Sequence, residues 1–256
     1  MTRLKGGLLS KNRLWYDDLP ADARWSALWR GYIICGCCSG IRRVGEACSV
    51  CGDPWSTPSK QLITLDDGQV LEVPAAFMGA EGRYEDWIYL QLLEREWKRP
   101  VQYSDRLAGF PEGSPSPRAA IVLIFWTYFE TRIERLLRAG LRNVPSPITE
   151  DALRRYSFVG ARLQRFYEIV FGSTYFKDLK TLGFAKIATH LASVQKKRND
   201  FVHGKPQAID DTLVHKVVRE LKTEHEAWIA VFNKCCTVRS STTLSSKPTR
   251  RKRRVP

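Results

Sequence analysis

The sequence predicts a mainly α-helical protein: a small cysteine-bearing module with a β-hairpin, followed by a bundle of four amphipathic helices. Three observations predict it. Four cysteines in two close pairs lie within residues 35–51. A Pro- and Gly-rich stretch separates them from the second half of the chain. From Ser116 to Cys236, apolar residues then recur at helical spacing.

The 256 residues are 43% hydrophobic and 27% charged. These globular values exclude wholesale disorder and collagen-like structure, and the length allows one to two domains. Residues 1–30 read as an N-terminal helical lead. Trp25 and Trp29 lie at i and i+4, on one side of it. They form a packing face or, in the second reading, a platform for RNA bases.

Residues 31–75 hold the cysteines and two strands, 61–65 and 69–73. Asp66-Asp67-Gly68 joins them, with the glycine placed for positive φ. Residues 76–115 hold a helix over 84–98, striped by Trp87, Leu90, Leu93 and Trp97, and then a linker with Pro100, Gly109, Pro111, Gly113 and Pro115.

Residues 116–238 carry the four helices. Ser116 suits an N-cap and Pro117 the first helical position, so the first helix runs to about Arg142. The second runs from Thr149 or Asp151 to Phe171, where Gly172 stops it. The third covers 184–198. The fourth starts at Asp210 or Asp211 and uses Leu213, Val217, Leu221, Trp228 and Phe232. Helices of this kind in this order suggest a compact bundle. Residues 239–256 are Ser/Thr-rich, then basic, and read as a disordered tail.

The net charge is +14. Residues 239–256 contribute seven cations and no acid. Such an excess points to polyanions, nucleic acid first. Arg250, Arg251, Lys252, Arg253 and Arg254 would contact phosphates without reading sequence, in a salt-sensitive way. The same run would pass for a nuclear address, or would only aid solubility. The longest apolar stretch, 119–129, is about half of a membrane span, and the start carries no signal-peptide pattern. The chain therefore reads as cytoplasmic, without a membrane partner and with reduced thiols. Its seven cysteines are then a metal question first.

Cys35, Cys38, Cys48 and Cys51 make a C-x2-C-x9-C-x2-C frame. Four thiolates suit one tetrahedral zinc ion, and Gly52 fits the tight turn after the second pair. Cys37 could replace Cys38, though the two-residue spacing is the better geometry. With four protein ligands the metal would be structural, folding a segment with little core of its own. This is the pattern of a zinc ribbon. Arg42 and Arg43 beside it could touch phosphates or belong to a solvated loop. Cys235 and Cys236 read as bystanders.

A last motif lies where the third helix stops: Arg198-Asn199-Asp200-Phe201-Val202-His203-Gly204. Chance alone supplies about 0.4 Arg–His pairs at this spacing in such a chain, so the context must carry the signal. A polar residue follows the Arg, Phe-Val precedes the His, and Gly204 and Pro206 follow. This combination resembles the HEPN superfamily of helical nucleotide-binding and ribonuclease domains, over roughly residues 116–238. The resemblance implies a catalytic pair, Arg198 and His203, with Asn199 as an auxiliary polar residue. It also implies a homodimer that cuts RNA without a metal, often as a toxin or antiviral-defence effector, in some cases with an antitoxin. Other members only bind nucleotides or proteins. Glu130 would sit where some members carry an acid near the cleft, though a solvated or ion-paired glutamate is the plainer reading.

The chemistry stands without the family. RNA carries its own nucleophile, the 2′-OH. His is the side chain that titrates nearest neutrality, and Arg offers a charged fork matched to phosphate oxygens. On a continuous helix, five residues leave the two about 140° apart. Ending the helix after Arg198 would let His203 swing toward it. The plainer alternative is that Lys196, Lys197 and Arg198 meet the negative end of the helix dipole and His203-Gly204 is a C-cap.

Overall fold

The computed structural model describes residues 25, 28, 29, 32–55, 60–64, 68–74, 84–101 and 115–237. It is mainly helical, with two small antiparallel sheets. Strands β1 (Tyr32–Ile34) and β2 (Ile41–Arg43) pair with Ile34 opposite Ile41. Strands β3 (Lys60–Thr64) and β4 (Val70–Pro74) pair from Lys60–Pro74 to Thr64–Val70. Pairing ends one residue earlier than expected, so the connection is 65–69 rather than the three residues Asp66 to Gly68. Gly68 does take the positive φ expected of it, 80°. The linker at 102–114 and the tail at 239–256 lie outside the described residues.

Helix α1 (Tyr84–Lys98) matches the periodicity that predicted it, and Leu90 and Leu93 are fully buried. Helix α2 (Ala119–Gly140) is the central one. Ile121, Val122, Phe125, Trp126, Phe129, Ile133, Leu136 and Leu137 line it at helical spacing and are all buried. Ser116 does not cap it in the regular way, since Arg118 holds the N-cap position. Instead Ser116 Oγ accepts from Arg118 N at 3.2 Å and donates to Asp211 at 2.5 Å. This ties the start of α2 to α8 (Asp211–Cys236).

The second expected helix is not one rod. Helix α3 (Ser146–Arg155) stops at Tyr156. A new helix starts as α4 (Val159–Ala161), passes through a π-helical turn (Arg162–Phe166) and continues as α5 (Tyr167–Phe171). Arg162 explains the break. Its guanidinium donates to the carbonyls of Tyr156 and Leu153 and pairs with Glu134 at 3.0 Å, capturing the end of α3. Gly140 lets the end of α2 approach α5, where a Cβ would sit 2.5 Å from the Phe171 ring. Helix α6 (Tyr175–Thr181), capped by Thr174, was not anticipated.

Helix α7 (Ala185–Val202) runs a full turn past the expected end. Helix α8 starts at a true cap, Asp210 Oδ1 accepting from Leu213 N at 2.7 Å. Its buried residues Val214, Val217, Leu221, Trp228, Val231 and Phe232 pack on α2. Trp25 and Trp29 are part of this packing rather than a base platform. The Trp29 ring meets His225 edge-on at 4.4 Å, and Trp25 lies 6.4 Å from Trp97. One continuous core includes Ile41 of β2, Leu90 of α1 and the helices from α2 to α8.

Candidate functional site

The cysteine cluster is built from two turns of the same design. In the first, Ser39 N donates to Cys35 O at 2.9 Å; in the second, Gly52 N donates to Cys48 O at 2.8 Å. The residue after each pair is left-handed, Ser39 at φ 59° and Gly52 at φ 74°. That conformation folds the backbone back and turns both sulfurs of a pair inward. Gly52 is the residue expected there; Ser39, which bears a side chain in a region that disfavours one, carries no sequence signal.

All four sulfurs lie within 4.8 Å of one another. Cys35 and Cys51 are 3.8 Å apart, and Cys38 and Cys48 are 3.6 Å apart. Metal–sulfur bonds of about 2.3 Å in a tetrahedron give edges of about 3.8 Å. Cys35, Cys38, Cys48 and Cys51 can therefore hold one metal ion. Burial pushes the Cys38 thiol up against the opposing backbone hydrogen bond of Gly40, and the neighbouring thiols add to the rise. A bound cation reverses that preference, because coordination favours the thiolate. Cys37 is exposed and stands outside the cluster.

Arg42 is not available for phosphates. It is buried, pairs with Asp53 at 3.0 Å, donates to the Glu46 carbonyl and stacks over Trp55. It braces the loop between the two turns. Arg43 is exposed, pairs with Glu226 of α8 at 3.5 Å and lies over the Tyr32 ring. Asn233 of α8 completes the docking. Its Oδ1 accepts from Ile41 N at 2.6 Å and its Nδ2 donates to Ile41 O at 2.8 Å. A cleft of about 300 Å³ remains between the module and α8, beside Tyr32, Arg43 and Glu226.

The Arg–His motif occupies the end of α7. The helix does not stop after Arg198, so His203 is not swung toward it. Val202 is the last helical residue, and His203 donates its backbone N–H to Asn199 O at 3.0 Å. Gly204, at φ 89°, then reverses the chain. Its N–H donates to Phe201 O, and Lys205 N donates to Asp200 O. These two bonds form a Schellman cap, which needs the glycine but neither Arg198 nor His203. Lys196, Lys197 and Arg198 precede the last turn and so do not answer its dipole.

Arg198 is half-buried, and its Nη1 donates to Asn199 Oδ1 at 3.2 Å. No carboxylate pairs with it among the described residues. His203 is exposed. The structure thus brings Arg198 and Asn199 into contact and leaves His203 exposed at the helix end, about 140° away around the axis. Glu130 accepts from the indole of Trp126 at 2.6 Å, a packing role inside α2. Arg250, Arg251, Lys252, Arg253 and Arg254 lie outside the described residues.

Sequence reasoning missed the buried charges. Arg132 of α2 and Glu224 of α8 form an ion pair sealed from solvent. Burial works against both charges. Glu224 more than offsets it at Arg132, which stays protonated, whereas burial wins at Glu224 and raises its carboxyl. The Arg132 guanidinium lies 4.0 Å over the Tyr128 ring. Arg135 similarly meets Asp86 of α1 in a buried pair. Asp178 of α6 accepts from Tyr167 at 2.8 Å and from Lys234 at 2.6 Å. The available signal was position: Arg132 and Glu224 sit within the apolar stripes of their helices.

Comparison of the chain with protein-family models, with curated proteins and with solved structures finds no match. Among the described residues, no helix is long and apolar enough to cross a membrane.

Proposed function

We propose that the chain is a metal-independent endoribonuclease of HEPN type, acting as a homodimer on a helical scaffold that a single structural zinc ion helps to hold. The observation that carries the reading is the state of Arg198. Arg132, Arg135, Arg138 and Arg162 are each paired with a carboxylate and spent on the fold. Arg198 donates to Asn199 and has no carboxylate partner among the described residues, which leaves its guanidinium available to an incoming anion. His203 is the C-cap residue, and its exposed side chain takes no part in the backbone bonds that end the helix.

In this reading His203 moves the proton of the 2′-OH or of the leaving 5′-oxygen, worth about 10²–10⁴ in rate. Arg198 offsets charge on the phosphorane, and Asn199 fixes the fork. The products carry 2′,3′-cyclic phosphate and 5′-OH ends. On the continuous helix Arg198 and His203 diverge by about 140° and rise by about 7.5 Å. A second copy facing the first would let one chain's Arg and the other's His share a phosphate, which supports the dimer. A toxin or antiviral-defence role in the cytoplasm, with an antitoxin as partner, belongs to the same reading.

The donor set supports zinc as the ion. Four thiolates at tetrahedral separations form a closed site with no open position, and its ion serves structure, not the cleavage.

The same 140° divergence also favours a second reading, a non-catalytic module in which Arg198 is only a phosphate contact. One experiment separates the two. RNA is incubated with the pure protein and with the Arg198→Ala/His203→Ala variant, in magnesium-free buffer without a strong chelator. Cleavage by the first alone, leaving cyclic-phosphate ends, establishes the nuclease. Binding without turnover by a folded dimer establishes the module.

A further inference from the structure

Phe158 is 81% exposed, more than any other large apolar side chain among the described residues. It stands in extended conformation between α3 and α4. Tyr156, two residues before it, stacks instead on Phe166, with centroids 4.7 Å apart and planes within 9°. Phe158 is left outside with nothing to cover it. A single exposed apolar ring is ordinary on a protein surface, so the case for an occupant rests on what surrounds this one.

The surroundings say which. Residues 152–167 contain four arginines and no acid. Arg162 turns inward and fastens this ledge to α3 and Glu134. The side chains of Arg154 and Arg155 are 81% and 75% exposed, and both lean on Asp151 at 2.7 Å. Arg165 is exposed at the π-helical turn and has no ion-pair partner among the described residues. A flat ring among guanidinium forks matches a base flanked by phosphates. In a duplex the base faces are covered, so the ring suits a single strand. The ledge also touches the motif's helix. A Cβ on Gly160 would lie 3.2 Å from the side-chain nitrogen of Gln195, one turn before Arg198.

We propose that Phe158 is a stacking platform for a base of single-stranded RNA, with Arg154, Arg155 and Arg165 on the neighbouring phosphates. The strand would continue along α7 to Arg198 and His203. That direction rests on the ribonuclease reading; the platform itself does not.

The test is binding of the full chain to a fluorescent single-stranded oligouridine with 2′-O-methyl sugars, which cannot be cleaved. Phe158→Ala should weaken binding about fivefold to a hundredfold, the worth of one stacked base. It should leave the melting temperature and the salt slope of binding unchanged. Phe158→Trp should restore affinity and show fluorescence quenching on binding that wild type lacks. Arg165→Ala should lower the salt slope by about one. Wild-type affinity in Phe158→Ala would overturn the proposal. So would loss of oligomeric state in that variant with RNA affinity retained, which would make the ring a protein contact. Because this assay reads binding alone, it stands apart from the cleavage experiment: a protein inactive there that still needs Phe158 to bind here would sink only the nuclease. An active one indifferent to Phe158 would sink only the platform.

Discussion

Asn233 grips Ile41 by both of its backbone groups, across 192 residues of sequence. In the β1–β2 pair Ile34 stands opposite Ile41, and the Ile41 N–H and C=O point away from the partner strand. One primary amide supplies the acceptor and the donor that a third strand would have supplied. The cysteine module is thereby joined to α8 as an edge strand is joined to a sheet.

Asn233→Ala should remove both bonds and leave Ile41 unsatisfied, costing about 1–3 kcal/mol. Asn233→Asp keeps the acceptor but sets a carboxylate against the Ile41 carbonyl, and should cost at least as much. Urea denaturation gives the loss, and hydrogen exchange at Ile41 shows where it falls. Unchanged exchange there would mean the clamp is idle.

Cys37→Ser should leave one metal ion per chain, and Cys38→Ser should abolish tight binding. Cobalt substitution reads this directly through its thiolate charge-transfer band. Chelation should expose Ile41 and strands β1 and β2 while α2 and α8 keep their helical signal, since among the described residues Ile41 is the only fully buried one that the module adds to their shared core.

Removing one member of the buried Arg132–Glu224 pair strands the other. Arg132→Met or Glu224→Leu alone should cost about 3–5 kcal/mol, whereas the double replacement should recover much of it. A double-mutant cycle by thermal or urea unfolding measures the coupling. Additive losses would show that the pair contributes only its separate packing.

Acid should destabilise the fold from near pH 6.5 downward. Burial, and then Lys216, hold His190 neutral and lower its pKa to about 4, with Glu220 opposing. His225 is lowered too, by burial and by Arg132. The unfolded chain therefore binds more protons than the native one below pH 6.5, and stability is lost as pH falls toward 4. For His190 the full effect is on the order of 3 kcal/mol, at about 1.4 kcal/mol per pKa unit. His190→Gln should flatten that part of the stability–pH curve. An unchanged slope would place the titration elsewhere.

The sequence by itself determined what is local. The spacing of Cys35, Cys38, Cys48 and Cys51 was enough to select them, because a two-residue turn sets where its sulfurs point. The apolar periods of α1, α2 and α8 placed those helices, since a stripe three to four residues apart has one stable way to be buried. Tertiary structure decided the rest. Arg162 broke the second helix by capturing the carbonyls of Tyr156 and Leu153, a contact with no repeating pattern to announce it. Gly204 ended α7 one turn later than the charge run suggested, which set Arg198 and His203 on different sides of one helix. Asn233 and Ile41, like Arg132 and Glu224, became partners only when distant faces met. Periodicity states that a face is buried; which face lies opposite is a property of the packed chain.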